Sequence, residues 1–303
     1  MLILAQLLNG LQYGIMLFLL AAGLTLVFGI MSFVNLAHGS LYMMGAYLAA
    51  AITNYTGSFL LGLLGSAVGC LSIGLLLERV AVSRLYGRDH LNHVLATFGM
   101  ILFFNELVTM IWGKQPVFVS VPAFLSGSVE IFGLSYPSYR FAIIGVGLLV
   151  ALGCYLLIHR TRMGMLIRAG ANNVGMVSAL GVNIKLLNAL LFALGAALAG
   201  LAGAMAGPIL SVQSGMGEPV LITTLLVIVI GGIGSVKGAF YAALIVGVVD
   251  TMGRVFLPVL LREFASRQLA DAAGPALASL SIYLLMAAVL ALRPQGLFVK
   301  KTT

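Results

Sequence analysis

Few side chains inside the long apolar segments are able to do chemistry: Glu106, Glu218, Asp250, Arg254 and the imidazole of His38. In hydrocarbon an ionisable group is costly, so it marks either a proton or ion route or a structural pair. Asp250 and Arg254 stand four apart, the spacing of an ion pair on one helix face. Glu218 sits at a segment end before Pro219, and Glu106 is isolated. Each reads as structural or interfacial rather than proton-carrying, and His38 reads as a helix-end hydrogen-bonding residue. There is no H-E-x-x-H zinc motif and no Asp-rich pair for metal-diphosphate chemistry, so no metal site is expected. No Gly-Lys-Ser/Thr phosphate loop occurs either, so the chain itself is not expected to hydrolyse ATP.

A second chemical feature is backbone that cannot stay helical. Residues 31–47, MSFVNLAHGSLYMMGAY, place Asn35, His38, Gly39, Ser40 and Tyr42 at or near membrane depth. Residues 230–241, IGGIGSVKGAFY, hold Gly231, Gly232, Gly234, Ser235 and Gly238. Non-helical backbone inside a bilayer must be satisfied by protein or by a water-filled cavity. Broken helices of this kind build transport paths, and one lies in each half of the chain. A simple tight turn with Lys237 at the interface is the plainer reading of the second. A loose similarity pairs Gly39-Ser40 with Gly234-Ser235, which suggests internal duplication without saying whether the halves are parallel or inverted.

The elements that must position these residues are membrane spans. Hydrophobic residues make up 61% of the chain and charged ones only 8%, against roughly 25% charged in soluble domains. Mean hydropathy is +1.14. No charge precedes Glu78, which leaves room for three crossings at about 20 residues each. With no basic leading region and an overlong apolar run, the N-terminus is not expected to be a cleaved signal. The expected fold is all-α, a polytopic membrane helix bundle of eight to ten spans forming one domain over 1–303. Approximate spans are 7–29, 36–53, 59–77, 94–112, 141–158, 187–208, 219–234, 238–257 and 272–292, the seventh short enough to be re-entrant. In the sixth, Gly195, Ala199, Gly203 and Gly207 recur every four residues, which lets helix backbones approach closely. Cys70 and Cys154 lie in apolar segments as packing residues.

The net charge of +8 follows from span ends and loops and needs no nucleic acid partner. Arg79, Arg84 and Arg88 follow the third span, and Arg160, Arg162, Arg168 and Lys185 form a polar island. Arg293, Lys300 and Lys301 lie near the C-terminus. Positive charge in short loops marks the cytoplasmic side, so these three groups and the C-terminus are expected there. Residues 113–140 then face outward. Arg262 and Arg267 are a mild exception, partly balanced by Glu263 and Asp271.

The island, 160–185, reads RTRMGMLIRAGANNVGMVSALGVNIK. Leu166, Ile167, Ala171, Val174, Val177 and Leu180 recur as on one helix face, with Arg168, Asn172 and Asn173 opposite. A surface helix is expected, interrupted at Gly175 and ended at Gly181. From the residues alone, an orienting basic loop and a docking helix for a cytoplasmic partner are both open.

Three segments together resemble the LivH type of membrane permease of bacterial branched-chain amino acid ABC importers. They are VNLAHGSLYMMGAYLA from Val34, the island, and GGIGSVKGAFYAALIVG from Gly231. The resemblance implies a cytoplasmic coupling helix that docks an ATPase subunit. The general importer loop has Glu-Ala-Ala, three residues and Gly. Here Ala169-Gly170-Ala171 and Asn172-Asn173-Val174 precede Gly175, so the glutamate is missing. Arg162, Gly164, Arg168, Ala169, Asn172, Gly175, Ser178 and Gly181 are the implied coupling positions. Asn35, His38, Gly39, Tyr42, Gly45, Gly231, Gly232, Gly234, Ser235 and Gly238 are the implied translocation path.

The implied partners are two cytoplasmic P-loop ATPases, a second related permease (LivM-like) or a second copy, and a periplasmic binding protein. ATP and Mg would sit on the ATPases, with no cofactor in this chain. The implied place is the cell inner membrane, and the implied cargo a branched-chain amino acid or related small polar solute. The rival is an ion- or proton-coupled secondary transporter, which would need Glu106 or Asp250 as a coupling group.

Overall fold

The computed structural model describes residues 1–31, 33, 35–131, 133–264 and 266–298. Val34, Lys300 and Lys301 lie outside the described residues. Eleven α-helices occur among the described residues: α1 (Leu2–Met31), α2 (His38–Thr56), α3 (Phe59–Val80), α4 (His90–Trp112), α5 (Ser138–Arg160), α6 (Arg162–Asn172), α7 (Val174–Ala179), α8 (Ile184–Ala206), α9 (Gly217–Gly231), α10 (Val236–Leu261) and α11 (Arg267–Leu292). Seven of them are long and apolar enough to cross a membrane: α1, α3, α4, α5, α8, α10 and α11. α9, with 15 residues, is shorter. Every expected span corresponds to one helix, with ends displaced by a few residues.

α1 and α8 are apolar all round and buried along most of their length, as a helix without a polar face should be. They cross at Gly23 and Gly195, where a Cβ on Gly23 would stand 2.6 Å from the Gly195 carbonyl oxygen. Ile30, near the end of α1, clusters with Leu187 and Leu191 near the start of α8. The two helices are therefore antiparallel.

The remaining helices pack reciprocally around this pair. α1 lies on α10 and α8 on α3; α2 pairs with α3 and α9 with α10; α2 touches α4 and α9 touches α11. Taken in chain order, α1–α4 and α8–α11 are equivalent sets with antiparallel lead helices, so the halves are inverted. This corrects the alignment of Gly39-Ser40 with Gly234-Ser235, because the counterpart of α2 is α9 rather than α10. The small residues of α8 also serve several neighbours at once: Gly195 meets α1, Gly203 meets Tyr42 of α2, and Gly200 meets Cys70 and Ser66 of α3.

One end of the bundle gathers the end of α1, α6, the turn between α9 and α10, and the segment after α11. Gly29 faces Gly234, and Leu297 N–H donates to the Ile230 carbonyl at 2.9 Å. The Tyr86 hydroxyl, in the loop after α3, reaches the Met31 sulfur at 3.5 Å. The opposite end carries a β-hairpin, β1 (Ser128–Ile131) paired antiparallel with β2 (Leu134–Pro137). Residues 113–140, expected on the outward side, thus carry regular structure. Tyr136 of β2 donates to Asn9 at 3.1 Å, fixing the hairpin over the start of α1. Arg262, one of the two exceptions to the charge pattern, also lies toward that end and pairs with Asp271 at 2.7 Å.

Candidate functional site

The first glycine-interrupted stretch starts α2 deep inside the bundle. Asn35 and His38 are each 1% exposed. Asn35 Oδ1 accepts from the Ala37 N–H at 3.0 Å, which shapes the turn before α2. The His38 Nε2 lies 3.2 Å from the Leu20 carbonyl oxygen of α1. A carbonyl only accepts, so that nitrogen carries the proton and His38 pins the start of α2 to α1. Gly39 lies against Gly217 at the start of α9, and Gly45 against Gly200 of α8. Tyr42 turns toward a small cavity of ≈ 110 Å³ that also takes in Gln12, Tyr13, Met16 and Val220, and its buried hydroxyl has no partner there.

The second stretch is a tight turn, as its plainer reading had it. Gly231 and Gly238 abut, and Gly232 and Gly234 hold φ of 100° and 80°, conformations that favour glycine. Ser235 caps α10, its Oγ accepting from the Gly238 N–H at 3.0 Å. The two stretches share α1 as a neighbour but occupy different depths. The first sits at the middle of α1 near Leu20 and Gly23, the second at its end near Gly29.

The island forms two helices, and the break falls at Asn173 rather than Gly175. Asn173 leaves helical form and caps α7, its Oδ1 accepting from the Met176 N–H at 3.0 Å. An Asn at that position offers the cap that ends one helix and starts the next. Gly181, with φ of 83°, lies just beyond α7. The buried face is Gly164, Ile167, Gly170 and Val177. Ala171, Val174 and Leu180, expected on that face, are exposed instead, and Met165 and Met176 are exposed beside them.

Arg162, Ala169, Asn172, Gly175, Ser178 and Gly181 are all exposed. Gly164 and Arg168 are turned inward. A Cβ on Gly164 would strike the last carbonyls of α5, and the Arg168 guanidinium donates to the Ile158 carbonyl there. A cation at a helix C-terminus is favoured by the helix dipole. Arg168 also lines a cavity of ≈ 370 Å³ together with Thr25, Gly29, Gly234, Ser235 and Lys237, so it connects the island to the second glycine stretch.

Ser66 and Glu78 are among the buried polar groups that the sequence does not single out. The Ser66 hydroxyl of α3 lies 2.9 Å from the Gly45 carbonyl and 3.0 Å from the Gly200 carbonyl, joining α2, α3 and α8. Glu78, 3% exposed, accepts from the Tyr86 hydroxyl at 3.0 Å. Of the candidate ionisable residues, Asp250 accepts twice from the Arg254 Nε, at 2.9 and 3.0 Å. Glu106 is exposed on α4. The Asn105 side-chain amide donates to Glu218 Oε1 at 2.7 Å, while Oε2 is buried without a partner. No cluster of three metal-ligating side chains occurs among the described residues.

Residues 6–290 match the protein family described as the permease component of the branched-chain amino acid transport system. A relative in Salmonella typhimurium, the high-affinity branched-chain amino acid transport system permease protein LivH, is 31% identical over 284 residues. That match covers 87% of this chain and 90% of the relative. The protein BraD of Pseudomonas aeruginosa, a permease of the same description, is 34% identical over 82% of this chain and 86% of its own. A probable LivH of Methanocaldococcus jannaschii is 26% identical over 81% of this chain and 79% of its own.

Proposed function

Because this chain belongs to the family of branched-chain amino acid transport permease components, we propose that it forms the membrane path of an ABC importer. The cargo is a branched-chain amino acid or a closely related small polar solute, moving inward. The observation that carries the reading is the exposed two-helix island on a chain with no phosphate-binding loop. Such a chain needs its ATPase from outside and presents a surface for it.

The partners are two P-loop ATPases that hold ATP and Mg, a LivM-like permease or a second copy, and a periplasmic binding protein. The protein sits in the inner membrane with the island and C-terminus in the cytoplasm. α2 and α9 start against each other at Gly39 and Gly217 inside the bundle, and they complete nine crossings with the seven long helices. Arg162, Ala169, Asn172, Gly175, Ser178 and Gly181 form the coupling face, with exposed Met176 and Leu180 as apolar anchors. Gly164 and Arg168 seat that face on α5. ATP-driven movement of the island reaches the turn at Gly231, Gly232, Gly234, Ser235 and Gly238 through Arg168. It alters access around Asn35, His38, Gly39, Tyr42 and Gly45.

Purification from native membranes in mild detergent tests this. Co-purification of one or two P-loop ATPases and a related permease is expected. Uptake into liposomes by this chain alone would overturn the reading and favour a secondary transporter.

A further inference from the structure

Two cavities, of ≈ 370 and ≈ 320 Å³, adjoin at Ile158, His159, Val236 and Lys237 and make one groove between α5 and α10. Both helices pack on α1, and Phe18 of α1 floors the groove. Its chemistry changes along its length. At the bundle end that holds the island it is lined by Arg168, His159, Lys237 and Ser235, and neither cavity has an acidic lining residue. Thr25, 1% exposed, lines the same space, and its buried hydroxyl oxygen has no hydrogen-bond partner. The 26-residue α10 begins there, so the positive end of its dipole faces the same space.

Toward the bundle middle the lining becomes Phe18, Ala151, Phe240 and Tyr241. Tyr155 stacks on His159 at 4.5 Å, and the Lys237 ammonium lies 5.4 Å above the Tyr155 ring. Leu148, Leu152 and Ile245, on the same two helices, are exposed.

We propose that this groove holds an anionic phospholipid. Its phosphate lies among Lys237, His159, Ser235 and the Thr25 hydroxyl, and one acyl chain runs along Phe18, Ala151 and Phe240. The cations account for the charge of the headgroup. The aromatic floor, continuous with them and directed toward lipid-facing apolar surface, accounts for the chain. A free anion would leave that floor empty. Basic pockets between transmembrane helices on the cytoplasmic side are suited to such headgroups. The leaflet, the cytoplasmic one, rests on the orientation proposed above; the site itself does not. Because Arg168 and the start of α10 line one cavity, a bound headgroup bridges the island and the α9–α10 turn.

The test is native mass spectrometry of the delipidated full-length protein, titrated with phosphatidylglycerol or with phosphatidylcholine. Phosphatidylglycerol should bind in preference. Lys237→Gln should weaken it about fivefold, the weight of one interfacial cation. Ala151→Trp should weaken it without any change of charge, and Lys114→Gln, on the far loop, should not. Gel filtration identifies a misfolded variant, and His159→Gln then replaces Lys237→Gln. Equal binding of the two lipids, or an unaffected Lys237→Gln, would overturn the proposal. So would Ala151→Trp leaving binding intact while inorganic phosphate competes, since that describes a free-anion site. None of these readouts depends on transport, so the importer reading stands or falls separately.

Discussion

Gly39 of α2 and Gly217 of α9 meet backbone to backbone, with a Cβ on Gly39 placed 2.6 Å from the Gly217 carbonyl oxygen. Equivalent helices of the two inverted halves touch here at their first turns, as α1 and α8 touch at Gly23 and Gly195. Neither backbone can yield like a side-chain end. Gly39→Ala or Gly217→Ala should therefore cost about 1–3 kcal/mol, the range of an overpacked core. A thermal melt of the purified protein checks this. Gly153→Ala is the control, because its Cβ would meet nothing within 4 Å. Melting points equal to the control would show that the helices separate freely at this crossing.

Ser66 holds a different junction. Its hydroxyl is fully buried between the Gly45 and Gly200 carbonyls, and both glycines are there so that three helices can close. Ser66→Ala removes the donor and leaves two carbonyls facing a methyl group, at a cost of about 1–3 kcal/mol. Ser66→Thr keeps the donor but adds a methyl to a full site, so it should be no better. A serine variant series read by thermal shift separates the two effects. An unaltered Ser66→Ala would mean that water replaces the hydroxyl.

These junctions show what sequence reading could and could not reach. The spans were legible because 20-residue apolar stretches carry their own signal. The packing unit was not. Gly39 and Gly217 are 178 positions apart; Gly39 stands out only as part of a helix-breaking stretch, and Gly217 looks like an ordinary glycine near a segment start. The weak likeness of Gly39-Ser40 to Gly234-Ser235 was visible because it is a string match. The true counterpart, the start of α9, shares geometry rather than letters. Ser66 gave no sign either, since one serine in an apolar helix reads as tolerated polarity. The island was recognised as helical from its period. Its break falls at Asn173 and not at Gly175, because the Asn173 side chain caps α7 while a glycine only permits a break. Of its expected face Ile167 and Val177 are buried, and the rest of the seat is made by small Gly164 and Gly170 against α5 and α1, where a hydrophobic period favours large side chains.

Asp250 and Glu106 decide between the importer and an ion-coupled transporter. Asp250 is already held by both its oxygens on Arg254, and Glu106 is exposed on α4. Neither is a free carboxylate on a route through the bundle. Glu106→Gln should leave uptake by the assembled transporter unchanged. Asp250→Asn should lower stability, since it leaves Arg254 without its ion pair, while retaining measurable uptake. Complete loss of uptake in a stably folded Glu106→Gln or Asp250→Asn variant would favour ion coupling. Glu218→Gln keeps the acceptor that Asn105 uses and should also retain transport. Uptake of radiolabelled leucine into cells or proteoliposomes gives the readout.

The coupling face can be separated from the seat beneath it. Gly175 and Ser178 are exposed, and a Cβ on Gly175 would find only the Asn173 side chain, at 3.4 Å. Surface changes of this kind alter stability by about 0.5 kcal/mol or less. Gly175→Trp and Ser178→Arg should therefore leave the melting point and gel-filtration profile of the isolated permease unchanged, yet abolish co-purification of the ATPase. Gly164 is the contrast. Its Cβ would collide with the Leu157 and Ile158 carbonyls, so Gly164→Ala must displace α6 from α5 and should lower the melting point even without any partner. If Gly175→Trp retained the ATPase, docking would lie elsewhere than on α7. If Gly175→Trp and Gly164→Ala destabilised the isolated protein equally, the island would be one structural unit with no separable docking surface. A low melting point for Gly164→Ala together with ATPase loss at native stability for Gly175→Trp would place the seat on α6 and the docking contact on α7.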